Sequence, residues 1–109
     1  MTWYNIFMKK EAVLNYLTNV KSMYEDEGFL IKALFGSYSR DEEGMDSDVD
    51  VLVEATPKFA QLYGFNAIKR IKEIQHEMSL ALGIPVDLAD STGMGKTGKM
   101  FILDRAIYV

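Results

Sequence analysis

Leu34-Phe35-Gly36-Ser37-Tyr38-Ser39-Arg40 and, past an acidic loop, Ser47-Asp48-Val49-Asp50-Val51-Leu52-Val53-Glu54 carry most of what this chain discloses. The first belongs to a compact apolar run, Phe29 to Phe35, broken only by Lys32 and closed by Gly36. That pattern predicts a buried strand. In the second, Val49 to Val53 alternates strictly with Asp48, Asp50 and Leu52, which predicts another strand with both carboxylates on one face. Two anions held so close repel, and one takes up a proton unless a cation sits between them. A hard divalent ion such as Mg²⁺ resolves the conflict, because it prefers oxygen and takes one or two carboxylates plus substrate phosphates. Gly36 leaves the strand end open to close backbone approach and Ser37 adds a hydroxyl, so the pair forms a plausible phosphate cradle. Asp48 and Asp50 alone would suit an ordinary solvent-facing edge strand better than a metal site.

A third acid shifts that balance. Ile84-Pro85-Val86-Asp87-Leu88-Ala89 reads as a short strand over Pro85 to Ala89, with Asp87 set among apolar residues. A charge in such a run needs a reason, since burying it unpaired is costly. If this strand neighbours Val49 to Val53, Asp48, Asp50 and Asp87 converge on one patch. Three carboxylates so placed fit two-ion transfer chemistry, in which the metals clamp the attacking and leaving oxygens.

The rest of the chain supplies a frame. Val13, Leu14, Leu17, Val20 and Tyr24 recur at helical steps, predicting an amphipathic helix over Lys9 to Glu25 that stops before Gly28. Ala55 to Lys58 reads as a turn at Pro57, and Phe59 to Phe65 as an extra helical turn. A second helix is predicted over Asn66 to Leu82, with Ile68, Ile71, Ile74, Met78 and Leu82 as its buried stripe and Gly83 as its end. Ser91 to Gly98 is a glycine-rich loop, and Lys99 to Val109 forms a brief helix or strand. No repeat or linker interrupts the chain, so residues 1–109 read as a single domain, α/β (α+β) in class.

Composition narrows the class further. With 49% apolar and 26% charged residues the chain is ordinary for a globular protein. It has no cysteine, which excludes disulfides and thiolate metal sites and suits a reducing cytoplasm. No apolar run approaches the roughly 18 residues of a membrane span, so a cytoplasmic protein is expected, with no membrane partner. The net charge of −4 repels phosphate backbones, so direct nucleic-acid binding is not expected; it suits divalent cations and a basic protein partner.

Taken together, Gly36-Ser37, Asp48-Val49-Asp50 and Val86-Asp87-Leu88 resemble the minimal nucleotidyltransferase family of the DNA polymerase β-like superfamily. The resemblance spans roughly residues 10 to 109. It implies a small mixed β-sheet flanked by helices. It implies that Asp48, Asp50 and Asp87 bind two Mg²⁺ ions and act in catalysis, with ATP as the nucleotide donor. Gly36, Ser37 and Arg40 would contact the triphosphate. It further implies an antitoxin partnered with a HEPN-domain ribonuclease toxin, silenced by transfer of AMP to one of its tyrosines. A second reading is an antitoxin that neutralises by binding alone. A third is transfer to a small-molecule hydroxyl, which would call for a further substrate domain.

Several features stand apart from the pattern. Asp41 follows Arg40 where the family carries glycine, opening an acidic run Asp41-Glu42-Glu43. Arg40 could pair with those acids instead of phosphate. Gly93, Gly95 and Gly98 fall where a more regular helix is expected. Asp90 to Thr97 resembles a phosphate-binding P-loop without its first glycine, and too little chain follows for that domain; it reads as a loop, with Lys96 and Lys99 near a phosphate or an acidic partner. His76 is the sole histidine and reads as a helix-surface residue. Trp3, Tyr4 and Phe7 read as a terminal segment packed on the core, or else as a docking patch.

Overall fold

The computed structural model describes residues 10–36, 48–91 and 106–109. The expectations for Trp3, Tyr4 and Phe7, for Ser37, Arg40 and Asp41 to Glu43, and for the loop carrying Gly93 to Gly98 lie outside these residues.

The first amphipathic segment forms α1, Lys10–Glu25, which buries Val13, Leu17 and Tyr24 and packs Leu14 and Val20 at the margin. Gly28 closes its exit, donating its N–H to Glu25 O at 2.8 Å. The chain then enters β1, Phe29–Phe35, and returns antiparallel as β2, Val49–Ala55. Lys32 sits at an irregularity between Ile31 and Ala33, the one polar position in the apolar run, and its Nζ pairs with Glu54 at 2.9 Å. Next come α2, Pro57–Tyr63, a 3₁₀ turn at Gly64–Asn66, and α3, Ala67–Leu82. They cross over to β3, Val86–Asp90, which lies parallel to β2. A parallel pair requires such a crossover, because a hairpin can only reverse the chain. A two-residue strand β4, Ile107–Tyr108, pairs antiparallel with the other side of β1, so the sheet runs β3-β2-β1-β4. This is the expected small mixed sheet with helices.

One core cluster joins α1, α2 and α3 to the same sheet face through Leu17, Phe59, Ile74 and Met78 above Ile31, Leu34, Val51 and Val86. Cutting Leu17 or Ile74 back to alanine is expected to cost about 2–5 kcal/mol, since each is fully buried. Among the described residues, the helices all join this one face of the sheet. Among the described residues no helix is long and apolar enough to cross a membrane.

Local boundaries depart from the sequence expectations in four places. β2 continues through Ala55, and Pro57 opens α2 where a turn was expected. Proline at the first helical position loses no hydrogen bond and has the right φ in advance. Thr56 is extended and its hydroxyl donates to Gly28 O at 2.6 Å, tying the α2 entry to the α1 exit. The second helix starts at Ala67 after the 3₁₀ turn, and Ile68 is 69% exposed instead of joining the buried stripe. The stripe runs Ala67, Ile71, Ile74, Met78, Leu82, which turns Ile68 outward. β3 begins at Val86, one residue late, because Pro85 has no N–H to give the ladder; its carbonyl accepts the Val49 N–H at 2.9 Å. The tail contributes a strand.

Where α1, α2 and α3 meet, a polar clamp forms. Arg70 donates twice to the Glu27 carboxylate, at 2.7 Å each, and once to Glu77 at 3.0 Å. Tyr63 donates to the same Glu27, and Tyr24 donates to Glu77 at 2.7 Å. The Arg70 hydrogen bonds hold the Glu27 carboxyl below its usual range, and burial together with Glu77 pushes the Tyr24 hydroxyl up. Arg70 is 17% exposed and Glu27 20%, so water screens this forked pair only partly.

Candidate active site

Strand register decides what stands beside what. Phe35 of β1 pairs with Asp50 of β2, and Asp50 pairs with Asp87 of β3. The three therefore form a row across adjacent strands, which lie about 4.8 Å apart in any sheet. Val49, Val51 and Val53 on β2 and Val86 and Leu88 on β3 join the core beneath the helices. By the alternation of a strand, Asp50 and Asp87 point to the other face, opposite the described helices. Asp48 stands two residues before Asp50, at the mouth of β2. It is exposed, as is Asp87, and Asp50 is half-buried.

The burial argument that singled out Asp87 in the sequence does not survive. Asp87 faces solvent, so its charge needs no buried partner. Its apolar neighbours Val86 and Leu88 take the opposite face, and its claim to a role rests on its register with Asp50.

Gly36 closes the row. Its φ of 79° lies in the left-handed region, which disfavours a side chain. A Cβ built there would collide with Asp50 Oδ2 and stand 3.1 Å from its Cγ. The end of β1 thus lies directly against the Asp50 carboxylate, and only glycine allows it.

Among the described residues, no three Asp, Glu or His side chains are grouped closely enough to hold an ion by themselves. Asp48, Asp50 and Asp87 occupy one end of one sheet face without forming a closed cage. Such a set still fits Mg²⁺, which typically takes one or two carboxylates and completes its shell from phosphate and water. The bare Gly36 backbone lets the Asp50 carboxylate lie directly against the end of β1. His76, exposed on α3, lies among Ile68, Lys69, Lys72 and Glu73 and is the surface residue the sequence reading makes it.

The sequence model of the nucleotidyltransferase domain family matches residues 16–109, and so takes in every one of these positions. The chain belongs to that family. Two proteins of Methanocaldococcus jannaschii are similar to this nucleotidyltransferase: "Putative protein adenylyltransferase MJ0128" is 34% identical over 77% of this chain and 69% of its own length. "Putative protein adenylyltransferase MJ1217" is 31% identical over 76% of this chain and 68% of its own length. Among solved structures, one described as "Structure of putative minimal nucleotidyltransferase" superposes with a TM-score of 0.73 at 25% identity, covering 94% of this chain and 98% of that one. Another, described as "Crystal structure of the toxin-antitoxin with AMP-PNP", has a TM-score of 0.58 at 20% identity over 93% of this chain and 72% of that one; at that identity it speaks for the fold.

Sequence reasoning missed two things, one at the nucleotidyltransferase site and one at the opposite end of β2. One is Phe35, which antiparallel register sets across from Asp50 and which has no signal in composition. The other is the Arg70 clamp, whose members Glu27, Tyr63 and Arg70 are far apart in the chain.

Proposed function

We propose that this nucleotidyltransferase transfers AMP from ATP to a hydroxyl of a partner protein, a tyrosine of a HEPN-type ribonuclease toxin, and so acts as its antitoxin. The observation that carries the reading is the register pair of Asp50 and Asp87 beside Gly36, on the face opposite the described helices. Its support from relatives is that two are named as protein adenylyltransferases and that a toxin-antitoxin structure with AMP-PNP shares the fold.

In this reading Asp48, Asp50 and Asp87 hold Mg²⁺, and Gly36 with Ser37 and Arg40 receives the triphosphate. When bound, the metal neutralises phosphate charge and stabilises the attacking and leaving oxygens. The chain's own residues orient the reaction. Gly36, lacking a side chain, lets Asp50 close against the end of β1, where the triphosphate would meet the metal-binding carboxylate. Asp87, exposed at the row's edge, accepts the proton of the incoming tyrosine hydroxyl directly or through water. The hydroxyl oxygen bonds to the α-phosphorus as the bond to the bridging oxygen breaks, and pyrophosphate leaves. No covalent enzyme intermediate is required, and catalysis is positioning plus charge neutralisation.

The test is to incubate the protein with α-labelled ATP, Mg²⁺ and the protein encoded by the neighbouring gene. Label on the partner that disappears in Asp48→Ala and Asp50→Ala supports transfer. Neutralisation of the partner without label, equal in wild type and variants, establishes binding alone instead.

A further inference from the structure

At the end of the sheet away from the carboxylates, the chain builds a surface that the transfer reaction does not use. β2 runs from Asp50 toward Ala55, α2 follows at once, and α3 returns to Pro85, whose carbonyl meets Val49. A 16-residue helix spans about 24 Å, so the start of α3 lies roughly that far from the carboxylate end. There Phe65 is fully exposed, Leu62 is 58% exposed and Ile68 is 69% exposed. Gly64 makes this possible: its φ of 54° with ψ of −125° suits only glycine, and the chain turns sharply there. Isolated exposed apolar residues are common, but three large ones on seven consecutive positions mark a contact surface.

Charge says what kind of surface it is. From Ala55 to Lys72 the sequence holds four basic residues and no acid, in a chain whose net charge is −4, so the remainder carries −8. Arg70 is spoken for by Glu27 and Glu77. Lys58, Lys69 and Lys72 are exposed and pair with no described residue. Ile68, Lys69 and Lys72 also line an open groove of about 520 Å³ on α3, together with Glu73 and His76.

We infer that this α2–α3 corner is the docking surface for a protein partner whose contact face is an apolar pocket rimmed by carboxylates. The inference rests on the reading that this chain has a protein acceptor, and adds where that acceptor is held. Three exposed apolar residues carried on the same short stretch of chain as three exposed lysines suit an interface with an apolar centre and a charged rim. Nucleic acid is the weaker match, because three lysines on a strongly acidic molecule supply little phosphate neutralisation. Docking here leaves the carboxylate end open to ATP, so binding of the partner and binding of the nucleotide are separate.

The probe is the purified protein encoded by the neighbouring gene, titrated calorimetrically into wild type, F65D/I68E, K69E/K72E and, as a control on the outer face of α1, N15D. All the altered side chains are exposed, and circular dichroism checks folding. The result expected is a loss of about 100-fold in affinity for F65D/I68E and about 10-fold for K69E/K72E, with N15D unchanged and ATP·Mg²⁺ affinity unchanged in every variant. Equal affinity of wild type and F65D/I68E overturns the inference and leaves AMP transfer standing. So does a wild-type dimer that F65D/I68E dissolves, or retention of single-stranded RNA lost only in K69E/K72E. Wild type failing to bind the probe at all overturns the toxin partner itself, and this surface's occupant with it.

Discussion

The two ends of the β2 strand are built on opposite terms. At its start, the proposed chemistry rests on residue identity: it calls for carboxylates at Asp48, Asp50 and Asp87, and Gly36 lacks the side chain that would strike Asp50. At its finish, beyond Ala55, the structure rests on placement: Thr56 ties α2 to Gly28, and Arg70 of α3 joins Glu77 on its own helix to Glu27 in the turn after α1. The proposed chemistry at one end is expected to tolerate almost no substitution. Anchoring at the other is spread over several contacts, so single losses there weaken the fold without abolishing it.

That contrast can be broken by mutation, beginning with the largest expected effect. Asp50→Asn and Asp87→Asn keep the shape of the row and remove its charge. Each is expected to lower AMP transfer by on the order of a thousand-fold, about 4 kcal/mol of barrier, with melting temperature unchanged or raised as repulsion is relieved. A large fall in stability with activity retained would make them structural residues. Gly36→Ala should affect both quantities: strain at φ 79° and collision with Asp50 predict a loss of about 1–3 kcal/mol in stability together with most of the activity. Chemical denaturation alongside the transfer assay checks this.

At the other end, Arg70→Met leaves Glu27 with Tyr63 alone and is expected to cost about 1–3 kcal/mol of stability while kcat stays near wild type. The pH dependence follows from the same pair. Because Arg70 holds the Glu27 carboxyl below its unfolded value, its contribution is complete above the unfolded pKa of about 4.3 and is lost as pH falls through the lower folded value. Urea midpoints of wild type and Glu27→Gln should therefore differ at pH 7 and converge in acid. A gap that stays constant down to pH 2 would assign the effect to packing. Smallest of all, His76→Ala on the exposed face of α3 should stay within about 0.5 kcal/mol of wild type in stability and leave transfer untouched.

The same contrast explains which parts of the molecule could be read from its sequence. The strands around Gly36 and Asp50 were legible because apolar runs, alternation and paired acids are local patterns. Asp87 was chosen correctly as a neighbour of Asp50 on a wrong premise: its apolar flanks face the helices while the carboxylate faces solvent. The α2–α3 corner was not legible. Period alone put Ile68 in the buried stripe, whereas the stripe passes through Ala67 and Ile71 and leaves Ile68 outside. The absence of acids from Ala55 to Lys72 was visible throughout, yet its meaning depends on Phe65 and Leu62 standing beside those lysines in solvent.

The most direct test of the account separates the two ends in one experiment: steady-state AMP transfer to the neighbouring gene's protein, with kcat and KM measured for wild type, Asp50→Asn and F65D/I68E. The account predicts that Asp50→Asn abolishes kcat, while F65D/I68E raises KM for the protein acceptor and keeps kcat and KM for ATP. Turnover by Asp50→Asn at the wild-type rate would contradict it, because the carboxylate row would then not be where the chemistry happens.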